Sequence, residues 1–133
     1  MIKIKTTNIE VELSKLKILK GRTPETSDEE AQGVFATLAP FDTGGVFVGS
    51  FEGDSPWERH IAGDELVQIL KGKAELTIIM DEGEQTFKLS AGMVTVVPKG
   101  LWHRFHAPDG VTVLTVTPHP TDHSSADDPR LDG

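Results

Sequence analysis

Short alternations of apolar and polar residues, cut by glycine and proline, run along most of this chain. Ala74, Leu76 and Ile78 alternate with Glu75 and Thr77, the two-residue period of a half-buried strand. Similar runs occupy residues 33–38, 46–51, 65–70, 86–89, 93–97, 103–106 and 111–117. The breaks between them are turn-forming: residues 40–45, Glu52 to Pro56, Lys71-Gly72-Lys73, Ser90-Ala91-Gly92 and Pro98-Lys99-Gly100. Asp81-Glu82-Gly83-Glu84 reads as a hairpin turn, because glycine takes the positive φ such turns need. Residues 1–19 alternate loosely through Ile2, Ile4, Ile9, Val11, Leu13, Leu16 and Ile18, which predicts edge strands. Residues 20–32 are polar and acidic and predict a loop, and the tail from Pro118 predicts loose packing. No segment carries a helical period of any length. Strands recurring about every 8–12 residues between turn signals predict an all-β sandwich or barrel of about nine to eleven strands.

Composition narrows the class. A chain of 133 residues with 37% hydrophobic content has the material for one core. A single domain over 1–133 is expected, with its core at about 33–117, N-terminal strands in 1–20 and a polar tail in 118–133. The absence of cysteine excludes disulfides, thiolate ligands and a cysteine nucleophile. Twenty-one acidic against 13 basic residues give a net charge of −8, which disfavours nucleic-acid binding through a basic face. No apolar run approaches the roughly 20 residues of a membrane span, and Met1-Ile-Lys-Ile-Lys5 does not resemble a secretory signal. A cytoplasmic protein that binds neither nucleic acid nor membrane is the expectation.

The candidate chemistry lies in two stretches. Glu58 and His60 are two apart in Trp57-Glu-Arg-His60, so on a strand both side chains take one face. Glu65 follows the turn at Ala62-Gly63-Asp64 and returns on the neighbouring strand. His103 opens a strand after Pro98-Lys99-Gly100, with Phe105 on its face and Trp102 and His106 on the other. Two imidazoles and a carboxylate at one point suit Fe(II), Mn(II), Zn(II) or Ni(II). Glu58 is either a fourth ligand or a general base beside the metal. A Glu-x-His pair alone says little, since surface strands carry such pairs often. Trp57 and Trp102 are expected to face away from the pocket. His119 and His123 fall in the proline-containing tail, where no structural role is expected of them.

The spacing of these residues resembles the two motifs of the cupin superfamily. The first reads His-x-His, three or four residues, Glu, six residues, Gly. Here it is Glu58-x-His60, four residues, Glu65, six residues, Gly72. The second reads Gly, five residues, Pro-x-Gly, two residues, His, three residues, Asn. Here it is Gly92, five residues, Pro98-Lys-Gly100, two residues, His103, three residues, Ala107. The resemblance implies a double-stranded β-helix, the jelly-roll cupin barrel. It also implies metal ligation by His60, Glu65 and His103, with Glu58 in place of the usual first histidine. That glutamate hardens the site and turns its preference from copper towards Fe(II) or Mn(II). Ala107 in place of asparagine touches no ligand.

The implied function is divalent metal binding, in an enzyme of dioxygenase or isomerase type acting on a small organic molecule in the barrel. The alternative is a non-catalytic small-ligand binding or sensing cupin, with or without metal. A storage role fits a chain this short least. Small cupins commonly pair through sheet edges and N-terminal strands, so a homodimer through residues 1–19 is expected.

Overall fold

The computed structural model describes residues 2–131. Among them nine strands run in chain order: β1 (Leu19–Arg22), β2 (Phe35–Phe41), β3 (Gly44–Asp54), β4 (Trp57–His60), β5 (Glu65–Met80), β6 (Gly83–Ser90), β7 (Val94–Val97), β8 (His103–Pro118) and β9 (Thr121–Ser124). The curled sheet follows the order β1-β3-β8-β4-β9, with β2 on β3, and with β5 pairing β6, β7 and β8. This is the jelly-roll barrel. Among the described residues no helix is long and apolar enough to cross a membrane.

Two sixteen-residue strands, β5 and β8, form its spine. Each replaces a pair of shorter predicted strands. Lys71-Gly72-Lys73, expected as a turn, is instead a bend within β5, where the register against β8 shifts between Ile69 and Lys71 and again between Gly72 and Glu75. Gly72 takes φ +75, and a Cβ there would lie 2.4 Å from the Gly110 carbonyl oxygen. Only glycine lets the two strands cross this closely. Inward residues then alternate on both sides of the bend. Glu65, Val67 and Ile69 precede it, Leu76 and Ile78 follow it, and Phe105, Val111 and Val113 face them from β8. With Phe51 and Val97 the apolar ones form the core.

The N-terminal segment departs from expectation. Residues 9–14 form a helix, α1 (Ile9–Ser14), not a strand. The Asn8 side chain accepts the Val11 N–H at 3.0 Å, an N-cap. Glu10 and Glu12 then sit in the first turn, where the helix dipole favours acids. Ile9, Leu13 and Leu16 are the half-buried apolar residues, spaced i, i+4, i+7. The looser two-residue alternation masked that spacing. Of residues 2–19, only Leu19 enters a strand; residue 1 lies outside the described residues. The tail also differs: β9 pairs with β4, and Trp57 Nε1 donates to the Asp127 carbonyl at 3.2 Å. Residues 121–127 therefore pack onto the barrel.

Replacing Gly72 by alanine combines positive φ with a backbone clash, and should cost roughly 1–3 kcal/mol or more. Gly92 also has positive φ but open space around it, so Gly92→Ala should cost less. Denaturant melts of the two variants give the comparison.

Candidate metal centre

Strand pairing converges the two motif segments. His60 ends β4, Glu65 begins β5 and His103 begins β8. The Cα partner of His103 is Glu58 on one side and Ile78 on the other. Backbone hydrogen bonds stitch the loops together. Gly100 N–H donates to the His60 carbonyl at 2.9 Å, and Lys99 N–H donates to the Asp64 carboxylate at 2.8 Å.

His60, Glu65 and His103 are 4%, 6% and 1% exposed. One ligand atom from each lies within 4.8 Å of the others. Glu65 Oε1 is 3.1 Å from His103 Nε2, and Glu65 Oε2 is 3.3 Å from His60 Nε2. Polar groups hold each side chain from behind. His103 Nδ1 donates to the Leu101 carbonyl at 3.0 Å. Thr121 Oγ1 lies 3.0 Å from His60 Nδ1. Thr117 Oγ1 donates to Glu65 Oε2 at 2.6 Å. Such outer contacts fix ring orientation in histidine metal sites. His60 Nε2 is buried and makes no hydrogen bond, although its Nδ1 is held. A buried nitrogen that makes no hydrogen bond is costly, and a metal ion at this point would complete it.

Glu58 lies outside this cluster of three. It lines the same cavity, and its Oε2 is 3.3 Å from His123 Nε2. The cavity holds about 210 Å³ and is lined by His60, Glu65 and Glu58 together with Phe47, Phe51 and Phe105. Neither tryptophan lines it. Trp57 is 1% exposed and stacks under the Arg104 guanidinium on the outer face, while Trp102 packs against Arg59. His106 is exposed and pairs with Asp54. The tail histidines, of which no role was expected, reach the cavity region. His119 sets its ring edge-on to Phe47 at 5.8 Å, and His123 stands opposite Glu58 across the β4–β9 pair. Arg22, Thr117 and Thr121 also line the cavity, and sequence reasoning did not single them out. The alternation Thr115, Thr117 after Val113 carried a signal. The four-residue β9 was too short to carry one.

Burial, the largest influence on Glu65, raises its pKa. The hydrogen bond to His103 and the charges of His103 and His60 outweigh it and hold the carboxyl at about 2 against an ordinary 4.5. Burial likewise pulls His103 down, but the Glu65 hydrogen bond and charge outweigh it, and its pKa is raised from 6.5. Both ring nitrogens of His103 face acceptors, which accounts for a favoured imidazolium. The His123 pKa is raised too, by its hydrogen bond to Glu58.

The cupin domain family pattern matches residues 50–117, and the chain belongs to that family. It is a small cupin, and the His/Glu/His cluster is a site able to hold a metal. A cupin superfamily protein of Desulfitobacterium hafniense is 26% identical with a TM-score of 0.56, over 65% of this chain and 77% of that one. A cupin-2 domain protein of Shewanella frigidimarina is 24% identical with a TM-score of 0.55, over 64% and 79%. Hydroquinone 1,2-dioxygenase PnpCD, in a complex with Cd2+ and 4-hydroxybenzonitrile, is 20% identical with a TM-score of 0.54, over 63% of each chain. No curated protein matches the sequence.

The shifts set a pH profile for chelator-treated protein. Glu65, lowered in the fold, contributes stability above its unfolded value near 4.5, lost as pH falls towards about 2. His103, raised in the fold, contributes stability below 6.5, lost as pH rises through its folded value. Melting temperature should therefore peak between those limits, and His103→Gln should flatten the alkaline limb. An unchanged limb in that variant would count against the assignment.

Proposed function

We propose that the chain is a metal-dependent enzyme that converts a small organic molecule inside the barrel, with His60, Glu65 and His103 as metal ligands. The observation that carries this reading is the buried His60 Nε2, which makes no hydrogen bond though Glu65 Oε2 is 3.3 Å away, converging with Glu65 and His103. Two imidazoles and a carboxylate fit Fe(II), Mn(II), Zn(II) or Ni(II). Once bound, the ion supplies a Lewis acid and, where redox-active, a centre for oxygen chemistry.

The chain's own residues divide the remaining work. Thr117 and Thr121 orient Glu65 and His60. Phe47, Phe51 and Phe105 keep water from the inner cavity. Glu58, on the same strand face as His60, accepts a proton from the bound molecule. His123, 58% exposed in its side chain and 3.3 Å from Glu58, carries that proton towards solvent. Dioxygenase-type chemistry is favoured over isomerisation, because a fold neighbour is by name a dioxygenase. Non-catalytic ligand binding is the second reading, supported by the phenylalanine-rich lining.

Elemental analysis and calorimetry test the ligand set. His60→Ala and His103→Ala should lose stoichiometric uptake of Fe(II), Mn(II) or Zn(II) while keeping the wild-type β-sheet spectrum. Thr117→Val should weaken affinity roughly 10–100-fold, and Glu58→Gln should keep the metal. Wild-type metal content in His60→Ala would sink the ligand assignment.

A homodimer belongs to the same proposal. Ile2 and Ile4 are 90% and 88% exposed, two large apolar side chains alternating with Lys3 and Lys5 in an N-terminal arm. Removing residues 2–15 should shift the mass by light scattering from dimer to monomer; an unchanged mass argues against the arm.

A further inference from the structure

We infer that Arg22 is the anion-recognising group of the cavity, and that the ligand taken into the barrel is a small carboxylic acid with an apolar or aromatic body. This rests on the cavity being the ligand site, as proposed above, and not on the metal.

Arg22 ends β1, where it pairs with Gly53 of β3. Gly53 has φ +119, and a Cβ there would lie 2.3 Å from the Arg22 carbonyl oxygen. The close approach fixes the arginine backbone at the cavity wall. The guanidinium lies over the Phe51 ring at 4.6 Å and the Phe35 ring at 5.7 Å, and it lines the cavity that also holds His60 and Glu65. Stacking on aromatic faces positions the cation but leaves its in-plane donors open.

Those donors have no partner. Among the described residues, the Arg22 side chain makes no hydrogen bond or ion pair beyond this stacking. Glu58 is near enough to act on its charge, yet that carboxylate is engaged with His123. Arg59 pairs with Asp122 at 2.8 Å and Arg130 with Asp128 at 2.8 Å, whereas Arg104 is stacked on Trp57 at the outer face, away from the cavity. Burial lowers the Arg22 pKa, against the opposing charge of Glu58. A half-buried guanidinium without a partner is a cost that an incoming anion offsets.

The occupant follows from the surroundings. Five donors in a planar fork match a carboxylate with two parallel hydrogen bonds. A monoanion fits better than a phosphate dianion, since Glu58 and Glu65 share the cavity. About 210 Å³ lies below the roughly 300–1,000 Å³ of drug-sized pockets, so the acid is small. Phe47, Phe51 and Phe105 receive its body, and its far end reaches towards His60 and Glu65.

The test is NMR titration of chelator-treated full-length protein with benzoate, phenylacetate and hexanoate, each against its neutral amide. Wild type should prefer at least one acid over its amide by about tenfold or more, the scale of a charged hydrogen bond. Arg22→Gln should erase that preference. Arg22→Lys should keep it with weaker acid binding, which reads the charge even where Arg22→Gln fails to fold. Elemental analysis of the untreated wild type reads the metal assignment separately, since the acid preference is measured without metal. Equal binding of acids and amides, no saturable binding by any acid, an undiminished preference in Arg22→Gln, or its loss in folded Arg22→Lys would overturn the inference.

Discussion

A carboxylate removed from water must find partners, and Glu65 sets that demand at the centre of this barrel. Its two oxygens are met by His103, His60 and Thr117, which come from β8 and β4. His60 is steadied in turn by Thr121 of β9. Two stretches remote in sequence, β4 with β5 and β8 with β9, must therefore meet at one point. Leaving a buried charge unpaired costs several kcal/mol, so the alignment of these strands and the integrity of the polar cluster support each other.

The hydrophobic framework makes that meeting possible. The bend at Gly72 lets β5 serve two faces of the barrel without a break in the chain. Its first half delivers Glu65, and its second half delivers Leu76 and Ile78 to the core. The same bend aligns β8, so that Ile78 stands opposite His103. A single glycine thus links apolar packing to the position of an imidazole.

Much of this was legible in the sequence, because its signals were local. The two-residue alternation marked the strands, and fixed spacings around His60, Glu65 and His103 marked the segments that converge. The misreadings have physical causes. Gly72 and Gly110 look like turn residues, and only tertiary pairing shows that they bend continuous strands. In Ile9, Val11 and Leu13 the strand period overlaps a helical one, and the Asn8 cap decided between them. Residues 118–124 carry prolines and charges typical of a loose tail, yet β4 offered an edge on which they pair. Arg22 gave no signal, since a lone arginine after a short strand has no local pattern, and its neighbours are supplied by β2 and β3.

The family pattern spans residues 50–117, and all three members of the central cluster fall inside it. Arg22, His119, Thr121 and His123 fall outside. The barrel thus has an inner hub written in the shared segment and an outer wall written by the two ends of the chain. Substitutions in the ends can reshape the wall without disturbing the hub. Two proteins alike across the shared segment can therefore part ways in what they admit, and the terminal segments are where such divergence is to be sought.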